Sequence, residues 1–496
     1  MHPASTGTVL LSCFGSMRVW CLAPLLGSAC ADVGPGDFGR TGPGPDAAGL
    51  VPEEGCTLDD DAFLWVETSQ AAVATVARVE WELREPASVW ALFAEVGGPT
   101  NVTDPRPAAT SGQTLLLGLP EDTELMVRLV AEQDGELLCS DTRTARTGWL
   151  PAELPELELV QLRPDEVASG FFVTTVSEFM SSPWHFVLDD QGRAVWAWGG
   201  GPGGTRTRLS RDRQSMLVLE HHKDNGAPAE GVRRVSLDGG SSTVHAVPDT
   251  WVDFVELPDG TLAVLVDDTR ELEHRGEQRL IRGDAVVLVR PSGENEVLWS
   301  SFDAAWPDLD REYAIVTSAY GVEAEDWSHI NGMGQDPAEG LLYLTSGGLD
   351  ALYAVDLATG HTLWELSAHS DDWYSDAADP LINAPHSVQP LGPELLLVFN
   401  RRGDTSLCSE AVEIELDYAT GVARRTWGVQ SEDCLHVDFL GNAERLQGGD
   451  TLVSWSSRGR IDQLRSDGAT VMQLSASVGT IFGFVQHEGS LYPPRL

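Results

Sequence analysis

The sequence contains little positive charge. Lysine and arginine number 32 against 76 aspartate and glutamate residues, so the formal net charge is −44 and the pI is near 4.4. Nucleic acids and anionic membrane surfaces attract positive charge, so this balance argues against both as partners. The simplest interpretation is a strongly solvated surface. An anionic substrate would have to be held by local positive charge, against the field of the whole protein.

Long apolar runs and helical periodicity are also missing beyond the N-terminus. No later segment is apolar enough to span a membrane, and strand-like alternation dominates. The sequence lacks a Gly-rich phosphate loop, a nucleophile elbow and a CxxC motif, so we predict neither a cofactor nor a metal. The length of 496 residues suits two or three domains.

The N-terminal segment predicts a secretory signal over residues 1–30. From Met17, the phrase "MRVWCLAPLLGSAC" has Arg18, an apolar run, and small residues before Cys30. Small residues before a cysteine resemble a bacterial lipoprotein cleavage site, although Gly27 stands where that pattern prefers leucine. We therefore expect lipidation of Cys30, a true start at Met17, and a periplasmic or cell-envelope lipoprotein of a Gram-negative bacterium.

Four cysteines remain after such cleavage, in two couples that are far apart in the sequence. They predict one disulfide in each domain, Cys56–Cys139 and Cys408–Cys434, and an oxidising compartment. Other pairings stay open, because spacing alone does not fix connectivity.

Two regions follow the signal. Residues 31–50 are rich in Gly and Pro and predict a flexible tether. Residues 51–150 alternate as strands, and "LLLGLPEDTELMVRLVAEQDGE" resembles the end of a fibronectin type III sandwich. A Pro-punctuated linker then leads to residues 151–496.

That last region repeats a hairpin in which an apolar strand meets a Gly turn and a second strand, often with Trp. Six such hairpins occur, with turn glycines 47 to 67 residues apart. A repeat of this length predicts an all-β fold with a six-bladed β-propeller preceded by a small β-sandwich. An irregular multi-sheet β protein is the alternative. The turn glycines are Gly192, Gly239, Gly293, Gly360, Gly421 and Gly468.

Polar residues mark the predicted innermost strands. Six residues before the turns "LPDG", "DPAEG", "LGPE" and "LQGG" lie Val252, Asn331, His386 and Asn442. Equivalent positions of successive blades form a ring around the channel. Alternation would place His329 on the same face as Asn331, two residues later. We therefore expect these polar side chains at the mouth of the channel.

The phrases "DWSHINGMGQDPAEGLLYLTS", "APHSVQPLGPELLLVF" and "LGNAERLQGGDTLVSW" resemble the bacterial arylsulfotransferases. That resemblance implies sulfuryl transfer from an aryl sulfate to a phenol through a transiently sulfated histidine. It implies His386 as the nucleophile, His329 as the proton donor to the phenolate and Asn331 as a sulfuryl ligand. The alternative for His386 is a hydrogen-bonded histidine that lines a water-filled channel. Asn442 is a weaker substrate-binding candidate, for which a structural role is the favoured alternative. Some members pair through the sandwich, which allows a homodimer.

The sequence departs from that family at two positions. Val252 stands where the family has a third histidine, and Gly347 stands where it has an arginine. Arg401, Arg402, Arg458 and Arg460 are candidate substitutes, the alternative being solvated charges at strand ends. A catalytically degenerate propeller that binds a ligand or an envelope protein is therefore the rival function. A carbohydrate-active propeller ranks behind both, because no carboxylate pair stands at the ring positions.

Other polar residues carry weaker signals. His221 and His222 are adjacent and so point to opposite faces of a strand, which disfavours a shared metal. His361 in a turn and His369 in a loop are interpreted as surface residues. "DLDRE" and "DDTRELEHRGE" lack EF-hand spacing and predict acidic loops.

Overall fold

Strands make up nearly all the regular structure of the computed structural model. It describes residues 56–59, 61–178, 183–199, 204–220, 231–317, 322–375 and 377–493, within the unit Ala47–Leu496. The predicted signal, Met17, Cys30 and the tether lie outside these residues, as do His221 and His222. No helix that they form is long and apolar enough to cross a membrane.

The first eight strands form one sheet, in which the 19-residue strand β3 pairs along both halves. Its first half pairs with β2 and β5, and its second half pairs with β6. Alternate residues of β3, including Val79, Trp81, Val89 and Phe93, pack into one core. Whether this sheet is a fibronectin type III sandwich stays a prediction. The strands are β1 (Thr57–Leu58), β2 (Phe63–Gln70), β3 (Ala77–Glu95), β4 (Asn101–Val102), β5 (Arg106–Leu116), β6 (Glu124–Gln133), β7 (Glu136–Cys139) and β8 (Arg143–Arg146).

Both predicted disulfides are present. Cys56 is bonded to Cys139, with Cα atoms 5.8 Å apart, and Cys408 to Cys434, with Cα atoms 4.8 Å apart. The first bond ties the start of the N-terminal sheet to β7. Disulfides are typical of oxidising compartments, which fits the predicted export.

After residue 150, the described residues form six further sheets from 27 strands. These strands are β9 (Leu157–Gln161), β10 (Phe171–Glu178), β11 (Trp184–Asp189), β12 (Ala194–Gly199), β13 (Thr207–Leu209), β14 (Ser215–Glu220), β15 (Gly231–Ser236), β16 (Ser242–Ala246), β17 (Thr250–Glu256), β18 (Leu262–His274), β19 (Glu277–Val289), β20 (Asn295–Ser300), β21 (Ala314–Thr317), β22 (Glu323–Asp326), β23 (Ile330–Asp336), β24 (Leu341–Ser346), β25 (Ala351–Asp356), β26 (Thr362–Leu366), β27 (Pro385–Gly392), β28 (Leu395–Asn400), β29 (Glu410–Asp417), β30 (Val422–Gln430), β31 (Asn442–Arg445), β32 (Thr451–Ser454), β33 (Arg460–Leu464), β34 (Thr470–Ala476) and β35 (Thr480–Glu488). The helices are α1 (Ser301–Ala304) and the 3₁₀ turns Pro164–Glu166 and Ser456–Arg458.

Each of these six sheets contains a series of four antiparallel strands. In each series, one of the six predicted hairpins forms the two strands at one end. The six turn glycines have φ between 66° and 88°, a left-handed conformation that favours glycine. Four series run in chain order, β13–β16, β17–β20, β23–β26 and β27–β30. The series β31–β34 gains β9 at its outer edge, and the C-terminal strand β35 pairs with β10 ahead of β11 and β12.

Hydrogen bonds connect the first strands of successive sheets. Met333 N of β23 donates to the Asp253 carboxylate of β17, and Ala443 N of β31 donates to Ser387 Oγ of β27. A Cβ on Gly332 of β23 would lie 2.4 Å from the His386 carbonyl oxygen, so glycine permits the close approach of β27. The first strands therefore lie side by side.

Thr205, just before β13, connects its neighbours in the same way, because it hydrogen-bonds both β35 and β17. Its carbonyl oxygen accepts from Phe484 N of β35 at 3.1 Å, and its hydroxyl donates to the Val252 carbonyl of β17 at 3.3 Å. Asn442 of β31 bonds the backbone of Val485 in β35 at 2.8 Å in both directions.

One predicted loop is wrong. "DDTRELEHRGE" is not a loop but the tip of the hairpin β18–β19, which extends well past the other strands of its sheet. The extension pairs with β22, which pairs in turn with β21. This extension is rich in charged residues, a composition that usually indicates a loop. Backbone hydrogen bonds between its two strands nevertheless hold it together.

The N-terminal sheet packs against the sheets of β10 and β14. Val73, Val76 and Leu117 share an apolar cluster with Trp196 and Leu237. Polar contacts join the same surfaces, and these contacts are Thr75 Oγ1 to Val195 O at 2.7 Å, Arg78 to the Asp238 carboxylate at 2.5 Å, and the Tyr492 hydroxyl to the backbone of Leu115 and Leu117.

Candidate active site

His386 is the second residue of β27 and only 4% exposed. Its ring lies 5.4 Å from that of Phe484, and its Nδ1 has no hydrogen-bond partner among the described residues. Burial lowers the pKa of His386 well below its ordinary value, and the charges of Arg401 and His329 act in the same direction. The imidazole is therefore neutral near pH 7 and keeps a nitrogen lone pair for nucleophilic attack.

His329 lies just before β23 rather than within it. Its φ of +46° is left-handed, so the predicted strand alternation between His329 and Asn331 does not apply at this residue. Its Nδ1 lies 2.5 Å from Oδ2 of Asp326, the last residue of β22. About a third of the His329 side chain is exposed, whereas Asp326 is almost fully buried.

Asn331 is buried, and only one of its two polar side-chain atoms has a hydrogen-bond partner among the described residues. Its Oδ1 accepts a hydrogen bond from Thr345 Oγ1 at 3.0 Å, which fixes the orientation of the amide. Its Nδ2 is buried and has no partner among the residues that the structure describes. A buried donor without an acceptor is costly, so this amide is available to an incoming oxygen.

His329, Asn331 and Arg401 converge at Gly347. A Cβ on this glycine would lie 2.7 Å from Asn331 Nδ2, 3.2 Å from His329 Cδ2 and 3.4 Å from Arg401 Nη2. His386 lies on the neighbouring strand, since Gly332, next to Asn331, closely approaches its carbonyl oxygen. The side chains of His329 and Asn331 thus approach the same point, as expected. The left-handed backbone of His329, rather than strand alternation, brings them there.

Arg401, just after β28, supplies the positive charge at this point. Burial lowers the pKa of its guanidinium, while Asp350 and Asp438 oppose that shift. Nη1 donates to the Asp438 carbonyl oxygen at 2.5 Å, and Nε has no hydrogen-bond partner within the described ranges. The arrangement offers a neutral imidazole, a second imidazole, an amide N–H and a guanidinium around one space, a donor set suited to an oxyanion.

A known protein family matches the part of the chain that contains these residues. Residues 157–445, more than half of the chain, match the family described as arylsulfotransferase (ASST). The chain belongs to the arylsulfotransferase family. No curated protein matches the sequence significantly.

Solved structures that resemble this arylsulfotransferase-family chain are distant. An auxiliary nutrient binding protein from Bacteroides ovatus is 9% identical over 83% of this chain and 85% of its own, with a TM-score of 0.34. A protein of unknown function from Bacteroides caccae is 14% identical over 64% of this chain and 98% of its own, with a TM-score of 0.39. Likenesses this weak carry no argument about function.

Two residues that the sequence predicted to lie in the ring, Val252 and Asn442, are not among the side chains that converge at Gly347. Val252 is buried in the apolar core with Phe254 and Val264, and it brings no polar group. The Asn442 amide hydrogen-bonds the Val485 backbone through both its oxygen and its nitrogen. This pairing favours a role in joining sheets over the substrate-binding role that the resemblance implied.

The other three candidate arginines are paired elsewhere in this arylsulfotransferase-family chain. Arg402 is bound to Glu410 at 3.0 Å, Arg458 to Asp438 at 3.2 Å, and Arg460 to Asp462 at 2.8 Å. Of the four, only Arg401 reaches the space beside Gly347. His361 and His369 are exposed, as expected of surface residues.

Sequence reasoning missed Asp326 and Arg206. Asp326 opens the phrase "DWSH", but nothing in its spacing showed that it would reach back to His329. Arg206 is buried 4.2 Å above the ring of Phe484, whose other neighbour is His386, and it pairs with Asp253 at 3.2 Å. Both approach the site from other sheets, which a linear pattern cannot reveal.

A separate cleft of about 500 Å³ lies between the N-terminal sheet and the sheet of β14. Its lining includes Trp81, Gln214 and Asp238 and neither of the site histidines. The converging polar groups therefore locate the candidate site of this arylsulfotransferase-family chain better than cavity size does. Within the described residues, no group of three His, Cys, Asp or Glu side chains is placed to hold a metal ion.

Proposed function

We propose that this protein transfers a sulfuryl group from an aryl sulfate to a phenol through a sulfated His386. The single observation that carries the proposal is the convergence of His329, Asn331 and Arg401 at Gly347, next to the strand that carries the buried His386. Membership of the arylsulfotransferase family supports it independently.

In the first half-reaction, a nitrogen of His386 attacks the sulfur of the aryl sulfate. The N–S bond forms as the S–O bond to the aryl group breaks, and the electron pair leaves with the phenolate oxygen. His329, protonated on both nitrogens, gives its Nε2 proton to that oxygen. Burial favours this step because it lowers the pKa of His386 and so keeps the attacking nitrogen unprotonated.

In the second half-reaction, an acceptor phenol replaces the first product. His329 takes the phenol proton, and the phenol oxygen attacks sulfur while the N–S bond returns its electrons to His386. Charge on the sulfuryl oxygens is offset by the Asn331 amide and the Arg401 guanidinium. Fixed donors of this kind contribute most when they are aligned before the reaction begins.

The fold proposed for this chemistry is a six-bladed propeller. Six sheets, first strands that contact one another in sequence, and a C-terminal strand that completes the sheet of β10 support it. The site residues then line the mouth of the central channel. We also propose secretion to the periplasm or cell envelope with a lipid anchor on Cys30, and the two disulfides support an oxidising compartment.

The second candidate function is a binding propeller without chemistry. Val252 and Gly347 favour it, because each replaces a polar residue expected of the family with one that brings no charge. Arg401 weighs against it, since it restores a cation at the position beside Gly347.

The test uses purified mature protein and 4-nitrophenyl sulfate without an acceptor. We expect a burst of nitrophenol equal to the protein concentration and a sulfated peptide that contains His386. The peptide should be analysed at alkaline pH, because imidazole N–S bonds hydrolyse in acid. His386→Ala should lose both signals, and His369→Ala, at an exposed histidine, should keep both. A folded wild type without a burst across several aryl sulfates would overturn the enzyme and favour the binding propeller.

A further inference from the structure

The backbone around His329 is fixed from several sides. Ile330 N donates to the Asp284 carboxylate at 2.8 Å, and Gly347 N donates to the His329 carbonyl oxygen at 3.0 Å. Ser328 Oγ donates to the same Asp284 carboxylate at 2.5 Å. The left-handed conformation of His329 is therefore held by hydrogen bonds of the residues on either side of it and of its own carbonyl group.

The two edges of the His329 ring face different partners. Nδ1 points at Oδ2 of Asp326, 2.5 Å away. The opposite edge, which contains Cδ2 and leads to Nε2, faces the space beside Gly347, where Asn331 and Arg401 also lie. One edge is thus committed to a carboxylate, and the other is presented to the proposed sulfuryl site.

Asp326 is itself held by a buried arginine. Arg282 Nη1 lies 3.4 Å from Asp326 Oδ2, and its Nη2 lies 2.5 Å from Asp267 Oδ1. Its guanidinium is 2% exposed and stacks 4.2 Å above the ring of Trp251. A buried cation shared among three carboxylates, those of Asp267, Asp284 and Asp326, fixes Asp326 where β22 pairs with β19.

We propose that Asp326 is a positioning residue, which holds the Nδ1–H of His329 and so keeps Nε2 directed at the sulfuryl site. The role in transfer rests on the proposed function. An acceptor-only carboxylate selects the tautomer that carries the proton on Nδ1, and it stabilises the imidazolium that forms when Nε2 gains a proton. Without this carboxylate, neutral His329 would carry its proton on Nε2 for part of the time, and Nε2 could not then accept a proton from the phenol.

The first test needs no activity. Protein labelled with ¹⁵N-histidine is studied by long-range ¹H–¹⁵N correlation at alkaline pH, with His329→Gln used to assign the signal. We expect neutral His329 in the Nδ1–H tautomer in the wild type, and a shift toward the Nε2–H tautomer in Asp326→Asn. A wild-type His329 in the Nε2–H form would overturn the assignment.

The second test compares two donors in Asp326→Asn. We expect turnover to fall by about 10²- to 10⁴-fold, the range in which an aspartate-to-asparagine change acts on a histidine base. The fall should be larger for phenyl sulfate than for 4-nitrophenyl sulfate, because the less acidic phenol needs the proton more. Glu325→Gln is the matched control, because it alters the neighbouring carboxylate of β22, whose partner is Arg279 rather than Arg282 or His329.

The outcomes separate the two proposals. An equal fall for both donors would indicate a structural role for Asp326 and overturn its part in proton delivery. A wild type that turns over no aryl sulfate would overturn the proposed function, while the tautomer measurement would still decide whether Asp326 orients His329.

Discussion

At the scale of the residue, the departure at Gly347 and the position of Arg401 are two parts of one arrangement. Glycine leaves open the space that a side chain would fill, and the Arg401 guanidinium enters it from β28. An arginine restored at position 347 would start from a Cβ only 2.7 Å from Asn331 Nδ2, so Asn331 would have to move. The cation is therefore supplied from a neighbouring sheet rather than from the position expected of the family.

Arg401→Gln should lower kcat/KM for aryl sulfates by about 10²- to 10³-fold, the typical loss of one fixed donor to developing charge. Steady-state kinetics with 4-nitrophenyl sulfate measures the effect. Arg424→Gln is the matched control, because its partner Asp417 does not contact Arg401 and exposed pairs of this kind contribute about 0–1 kcal/mol. Equal kinetics for Arg401→Gln and Arg424→Gln would remove Arg401 from the site.

Residue identity showed half of the site in advance. His386, His329 and Asn331 stood out because polar groups begin otherwise apolar strands. Arg401 was one of four arginines with equal claims, and only its approach to Gly347, just after β24, distinguishes it. Asp326 belongs to a strand pair that the sequence did not predict at all, so no spacing rule pointed to its contact with His329.

At the scale of the element, the start of the inner strands repeats a backbone feature. His329, Ala384 and Leu440 each precede a ring position by two residues, and their φ angles are +46°, +45° and +61°. Asp249, with φ of +61°, precedes Val252 by three residues, and β17 carries a register shift at that point. The recurrence supports the equivalence of these positions, although none of the four residues is glycine.

Ala384→Gly should therefore stabilise the protein or leave its stability unchanged, within about 1 kcal/mol. Glycine removes the left-handed penalty of about 1–2 kcal/mol, which offsets its entropic cost of about 0.5–1 kcal/mol. Urea denaturation measures the free energy of unfolding. The control is Ala411→Gly in β29, where a fully buried alanine has ordinary strand geometry and a loss of about 1–2 kcal/mol is expected. Similar losses in both variants would contradict this account.

Hairpins were predictable at this scale and the extension of β18–β19 was not. Each predicted turn glycine is present with positive φ, because a tight turn restricts the residue type. The extension has a charged composition that is typical of a loop. It forms a strand pair because β18 and β19 hydrogen-bond each other and β19 also pairs with β22. Long-range pairing of this kind leaves no local signature.

At the scale of the whole molecule, the sheet of β10 is completed by β35 from the other end of the chain, and the N-terminal sheet packs on the same region. Tyr492, just beyond β35, bonds the backbone of Leu115 and Leu117. The sequence predicted six repeating units and a separate N-terminal region. It could not predict which strand completes the sheet of β10, because β35 pairs with a strand from the other end of the chain.

The net charge of −44 opposes an anionic donor over long distances, while Arg401 acts only at contact. Salt screens the long-range field with a Debye length of about 30 Å at 0.01 M and about 8 Å at 0.15 M, but it screens a partly buried contact much less. Raising NaCl over this range should therefore increase kcat/KM for the aryl sulfate by several-fold. The second half-reaction with a neutral phenol is the internal control, because a neutral acceptor is not repelled and its kcat/KM should change little. A fall in donor kcat/KM with salt would instead mean that local cations dominate the approach of the donor, and that the acidic surface lies too far from the site to affect capture.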